Sequence, residues 1–197
     1  MAVDRTPKLK RCQYLGISPS EIGLDKKTTR TSSHAGKKTS QYGEQLKEKQ
    51  KAKFIYGVQE KQFRRYYDIA ARERGKTGEA LMVLLEQRLD NIVFRMGWAR
   101  TRPEARQLVD HKFVTVNGKT VNIPSYQVKA GDVIEIRESK KTSQRMKEIL
   151  DVTAGRINPS WMQSDIENLR GTILETPTRE QIDVPVDETL IIELYSK

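Results

Sequence analysis

Cysteine is almost missing from this chain. Cys12 stands alone, and only two histidines, His34 and His111, accompany it. A structural zinc site needs a closely spaced set of Cys and His ligands, which these residues do not supply. A single thiol also precludes an internal disulfide and suits a reducing compartment. Long apolar runs are lacking as well, and no stretch approaches the ~20 residues of a membrane-spanning helix. The opening MAVDRTPKLKRCQYLG has no apolar core of the kind a signal peptide carries, and a transit peptide is excluded less firmly, because the Ser/Thr and basic content of the first forty residues fits one. No P-loop, nucleophile elbow or paired-carboxylate motif occurs. Asp90, within Arg88-Leu89-Asp90-Asn91, is expected to make a hydrogen bond or salt bridge rather than to act in catalysis. His111 is expected at a turn or on the surface. Aromatic residues make up 7% and hydrophobic residues 36%, lean for one globule, so part of the chain is expected to depend on a partner for order.

Positive charge, by contrast, is plentiful and unevenly placed. The formal net charge is +10. Residues 1–75 hold 18 Lys and Arg against 8 Asp and Glu. Residues 88–147 hold 13 against 6, and residues 148–197 reverse the balance with 4 against 10. Two basic blocks favour a phosphate polymer as partner, bound with release of counterions, over a membrane surface. The acidic C-terminal segment should face solvent or a basic neighbouring protein.

The chain divides by pattern. Residues 1–40 read as a basic arm with a short helical turn around Tyr14, Leu15 and Ile17. The remainder of the arm, DKKTTRTSSHAGKK, is expected to order on RNA. Residues 42–56 and 58–74 read as helices separated by Gly57, with Phe54, Phe63 and Tyr67 as core and Arg64 and Arg65 as phosphate candidates. Leu81, Leu85, Leu89, Ile92 and Met96 recur every three or four residues and predict one helix over 79–96, stopped by Gly97. A short helix is expected after the basic turn at Lys140, Lys141, Arg145 and Lys147. Trp161 and Met162 read as packing groups. Strands are expected over 169–174 and 190–195, the latter because Leu190-Ile191-Ile192 is continuously apolar.

The densest pattern lies between. Pro103 suits the first turn of a helix, and Ala105, Leu108 and Val109 supply its apolar stripe. Arg102 and Arg106, four apart, share a face beside that stripe. The period then drops to two at Val114 and Val116, and Asn117-Gly118 supplies the positive-φ pair of a tight hairpin. Val133–Ile136 is a further strand. Guanidinium groups on such a stiff element can clamp phosphates bidentately.

The run RLDNIVFRMGWARTRPEARQLVDHKFVTVNGKTVNIPSYQVKAGDVIEI resembles the RNA-binding module named after ribosomal protein S-four. The likeness extends through YGEQLKEKQKAKFIYGVQEKQFRRYY and ETLIIELYSK, so the chain as a whole is similar to the bacterial-type ribosomal protein S-four family. The resemblance implies an α+β fold: a mostly helical domain plus a small mixed α/β module, a helix pair with a short antiparallel sheet, and a basic N-terminal arm. The implied segments are an arm at 1–40, a helical domain with C-terminal strands at 41–86 and 148–197, and the RNA-binding module at 87–147. It implies a structural constituent of the small ribosomal subunit that organises a multi-helix RNA junction in the 5′ domain, nucleates assembly and contributes to translational accuracy. Partners implied are small-subunit ribosomal RNA, protein S-five and mRNA near its entry path, in a bacterial cytoplasm or on an organellar ribosome. Candidate RNA contacts in the arm are Lys8, Lys10, Arg11, Lys26, Lys27, Arg30, Lys37 and Lys38. In the helical part they are Lys47, Arg64 and Arg65. In the module they are Arg100, Arg102, Arg106, Gln107, Lys112, Lys119, Tyr126, Lys140 and Lys141. Some family members carry a four-cysteine zinc site in the arm. This chain keeps only Cys12 there, so a zinc-free form without cofactor is expected. Pseudouridine synthases and tyrosyl-tRNA synthetases borrow the same module, which keeps an enzyme as the alternative. No catalytic set accompanies the module here.

Overall fold

Side-chain oxygens of Ser40, Thr101, Ser143 and Asp187 accept backbone N–H groups at the starts of four helices in the computed structural model, which describes residues 7–24, 26 and 40–196. Such caps satisfy donors that a helix leaves open at its first turn. In chain order the helices are α1 (Lys8–Leu15), α2 (Gln41–Tyr56), α3 (Glu60–Ala70), α4 (Thr77–Glu86) and α5 (Leu89–Arg95). They continue with α6 (Arg102–Asp110), α7 (Glu138–Lys141), α8 (Gln144–Thr153) and α9 (Glu188–Tyr195). The strands are β1 (Val114–Val116), β2 (Lys119–Thr120), β3 (Val133–Ile136), β4 (Met162–Asp165) and β5 (Arg170–Ile173). Two compact units form. One takes the described residues up to Phe63 with those from Val184 onward, and the other is Arg64–Asp183. The contacts thus divide within α3, after Phe63, and before Val184.

In the first unit, α2 packs along α9, and α1 packs on α2. Cys12, Leu15, Ile17, Ile22, Ala52, Ile55, Tyr56 and Ile191 are buried. Arg11 lies 5.5 Å from the Phe54 ring centroid and donates to Gln50 at 3.0 Å. The segment expected to be a strand at 190–195 is helix α9. Asp187 caps it and Glu188 occupies its first turn. Only Ile191 of the apolar triplet is fully buried, as one face of a helix requires and a strand covered on both sides does not.

In the second unit, the strands form one antiparallel sheet in the order β2-β1-β3-β5-β4. Asn117 and Gly118 adopt positive φ, 50° and 77°, and turn β1 into β2 as the dipeptide predicts. Asn117 also ties the hairpin to β3, accepting from Val133 N–H at 2.9 Å. Strand β5 lies within the expected 169–174 range, whereas β4 carries no alternating pattern and owes its conformation to pairing with β5. The inner face of the sheet and helices α5, α6 and α8 bury Leu89, Trp98, Leu108, Ile134, Met146 and Trp161 in one core.

The helix expected over 79–96 is two helices. Gln87 and Arg88 leave helical geometry because their neighbourhood pairs with a distant segment. Val128 N–H donates to Gln87 at 2.9 Å, and Leu89 N–H donates to Tyr126 at 2.9 Å. Leu81, Leu85, Leu89, Ile92 and Met96 are all buried regardless, so the apolar stripe survives the break. The adjacent aromatic assignment also shifts: Tyr66 is buried, and Tyr67 is half-exposed.

Candidate nucleic-acid interface

Helix α6 rests on a layer of buried charge. Arg88 donates to Asp90 through Nε at 3.0 Å and Nη2 at 2.6 Å, and through Nη1 to the Tyr66 hydroxyl at 2.7 Å. Burial alone would lower the Arg88 guanidinium, but the Asp90 charge and hydrogen bonds, with Tyr66, more than offset it and hold it above its ordinary range. A second set runs beside this one. Asn91 Nδ2 donates to the Glu86 carboxylate at 2.6 Å, and Arg95 grips the same carboxylate at 3.1 and 2.8 Å. Arg95 also pairs with Asp183 at 2.7 Å. The Arg88-Leu89-Asp90-Asn91 motif is thus a buried bracket, and Asp90 sits in a salt bridge as its residue type and setting suggest.

Both networks reach α6. Arg102 donates from Nε to Asn91 Oδ1 at 2.8 Å and lies 4.3 Å from the Phe94 ring centroid. Arg106 pairs with Asp90 Oδ2 at 3.2 Å. The two arginines expected to share a face beside the apolar stripe therefore separate. Arg102 is 5% exposed and serves the scaffold, which corrects its assignment to the surface, while Arg106 remains partly open. The reason is that Arg102 lies on the same arc of α6 as buried Ala105, Leu108 and Val109, whereas Arg106, about 40° further round, stands at the edge of that arc, so a four-residue spacing does not by itself specify solvent. Arg156 braces the loop before α6 from behind, donating to the carbonyls of Phe94 at 2.8 Å, Ala99 at 2.9 Å and Arg100 at 3.2 Å.

The outward layer holds the remaining module candidates. Arg100 is exposed and paired with Glu104 at 2.9 Å. The hydrogen bonds and charge of Glu104 raise the Arg100 guanidinium. Partial burial pushes the Glu104 carboxyl up, but the Arg100 hydrogen bonds and the Arg100 and Arg145 charges hold it below its ordinary value. Gln107 is exposed and accepts from Arg145 at 2.6 Å. Lys112 is exposed at the C-terminal end of α6, and Lys119 at the β-hairpin. Tyr126 is exposed on the 123–126 turn, beside exposed Ile123. Lys140 lies 5.2 Å from the Phe113 ring centroid, and Lys141 pairs with Glu138. Arg145 was not among the module candidates. Its place became visible only when α8 packed beside α6.

Outside the module the candidates are more scattered. Arg64 and Arg65 are exposed on α3. Lys8 and Lys10 are exposed on α1, Lys26 is exposed, Arg11 is engaged with Gln50 and Phe54, and Lys47 is half-buried. Lys27, Arg30, Lys37, Lys38 and His34 lie outside the described residues. Among the described residues no group of three or more Cys, His, Asp and Glu side chains is arranged to hold a metal ion. No helix of the described residues is long and apolar enough to cross a membrane.

Comparison with known proteins bears directly on this site. The family described as S4 domain matches residues 87–134, the stretch that contains the bracket, α6 and the hairpin. The family described as ribosomal protein S4/S9 N-terminal domain matches residues 5–86. The small ribosomal subunit protein uS4 of Agathobacter rectalis is 65% identical over the full length of both chains. The chain belongs to the uS4 family. Its likeness to the uS4 protein of Lachnospira eligens is 64% identity, again across the whole of both chains. The uS4 protein of Acetivibrio thermocellus is 50% identical over 182 residues, covering 92% of this chain and 83% of that one. Family membership agrees with the α+β fold, with its RNA-binding module set among helices.

Proposed function

We propose that this chain is a structural, RNA-binding constituent of the small ribosomal subunit and does its work without catalysis. The carrying observation is the two-layer build of α6 within the S4 domain. Buried carboxylates and amides fix the helix, and exposed cations stand on its outer side. Phosphate contacts of this kind set register and orientation on folded RNA, and the shape of the RNA then supplies selectivity. Arg100, Arg106, Lys112 and Arg145 are the proposed phosphate contacts on the module. Gln107 and Tyr126 are placed to reach sugar or base. The basic arm and Arg64 and Arg65 add further phosphate contacts.

The finer reading follows from the family. The chain binds a multi-helix junction in the 5′ domain of small-subunit ribosomal RNA, early in assembly, on the bacterial ribosome in the cytoplasm. Its acidic C-terminal segment faces solvent or a basic neighbouring protein, and the family reading adds contact with protein S-five and a position near the mRNA entry path that contributes to accuracy. The test is equilibrium binding of the full-length chain to transcribed small-subunit ribosomal RNA at several salt concentrations. A log–log slope of about −4 or steeper is expected for five or more phosphates neutralised. A flat plot, or equal affinity for an unrelated RNA of the same length, removes the reading.

A further inference from the structure

Arg100 and Arg145 reach the same carboxylate from different elements. Arg100, in the loop before α6, holds Glu104 through Nε at 3.2 Å, Nη2 at 2.9 Å and its backbone N–H at 2.8 Å. Arg145, in the first turn of α8, brings Nη2 to 3.7 Å from Glu104 Oε1 and donates to Gln107 at 2.6 Å. The three groups are layered. The Glu104 side chain is 12% exposed, against 46% for Arg100 and 37% for Arg145. The cations therefore stand outward of the anion that gathers them. Among the described residues, Arg100 Nη1 and Arg145 Nε and Nη1 have no hydrogen-bond partner.

Two guanidinium groups this close would repel each other and spread into solvent. One carboxylate between them offsets that repulsion at short range and leaves the trio with one net positive charge. The N–H groups still open are the kind that phosphate oxygens engage in pairs.

We propose that Glu104 is a positioning residue for RNA binding: it holds Arg100 and Arg145 together as a two-guanidinium phosphate clamp beside Gln107. The proposal rests on the RNA-binding role given above. It gives a carboxylate a favourable part on a surface that binds a polyanion. Simple charge counting predicts the reverse, because deleting a negative charge there should tighten RNA binding. The sign of one substitution therefore separates the two.

The experiment measures binding of the full-length chain and its variants to transcribed small-subunit ribosomal RNA across a salt series, with the melting temperature of each variant. Glu104→Gln should weaken binding about three- to tenfold by loss of preorganisation, despite its extra positive charge. Arg145→Gln should weaken binding and lower the salt slope by about one. Arg145→Lys keeps the charge but loses the fork, and should bind more weakly than the unaltered chain at an unchanged slope. The double variant Glu104→Gln with Arg145→Gln should lose less than the sum of the two single losses. Unchanged or tighter binding by Glu104→Gln overturns the clamp, and so does an unchanged slope for Arg145→Gln. If Glu104→Gln melts early, Glu104→Asp decides: it keeps the charge but shortens the reach to both guanidinium groups, should weaken binding by the same loss of preorganisation, and unchanged binding overturns the clamp. Failure of the unaltered chain to prefer ribosomal RNA defeats the functional reading itself, a different result from any of these.

Discussion

At Lys112 the backbone φ is +59°, a conformation L residues adopt reluctantly. Phe113 N–H donates back to Leu108 at 3.0 Å and Lys112 N–H to Val109 at 2.9 Å, so the residue occupies the left-handed position that closes α6. Glycine is the usual choice there. A lysine in its place keeps a cation at the end of the proposed RNA face, at a cost in stability. Lys112→Gly should raise unfolding free energy by about 1 kcal/mol in a urea titration. It should also lower the salt slope of RNA binding by about one. Movement of both readouts in the same direction would refute this account. Glu60 offers a second test at this scale. Burial pushes its carboxyl up, but hydrogen bonds from Lys53, Lys49 and Tyr195 bring it down from 4.5 to about 2. A depressed carboxylate adds stability above its unfolded pKa and loses it as pH falls through the folded one. The stability gap between the unaltered chain and Glu60→Gln should thus be constant above about pH 5 and close between pH 4.5 and 2. Urea midpoints at four or five pH values would show it, and a gap independent of pH would contradict it.

Among the elements, β5 shows how closely the sheet lies on its covering helix. A Cβ placed on Gly171 would fall 2.5 Å from Met96 Cε, 2.7 Å from its Sδ and 3.1 Å from the Gln163 carbonyl. Met96 can swing aside, but the neighbouring strand cannot. Gly171→Ala should cost about 1–3 kcal/mol by thermal or urea unfolding, and a neutral result would mean that β4 yields. The same scale explains which helices were legible. Pro103 and the Ala105–Leu108–Val109 stripe specify α6 locally, and Asn117-Gly118 specifies the hairpin. The break at Arg88 was not legible, because a continuous apolar stripe cannot reveal that backbone groups at 87–90 bond to residues 124–128. Nor was α9, whose Leu190-Ile191-Ile192 run suits either strand or helix until Asp187 is recognised as its cap.

For the molecule as a whole, charge and ligand supply set the expectations. One cysteine and two histidines are too few for a structural zinc site, and Cys12 lies buried among apolar groups where burial raises its thiol pKa. Purified full-length protein should carry no stoichiometric zinc by elemental analysis; a tightly held equivalent would be inconsistent with packing alone holding α1 on α2. The sequence by itself determined the separation of basic and acidic blocks, the α6–hairpin unit and the family. The first depends on composition, the second on contacts within a few residues, and the third on motifs read in order along the chain. Tertiary structure alone decided which arginines are scaffold and which face outward. Arg102 is withdrawn by Asn91 and Phe94, Arg88 by Asp90 and Tyr66, and Arg145 is brought to Glu104 and Gln107 from some forty residues away in sequence. A guanidinium has the same charge in either place, and only the packing of distant segments around it determines whether water, and hence a phosphate, can reach it.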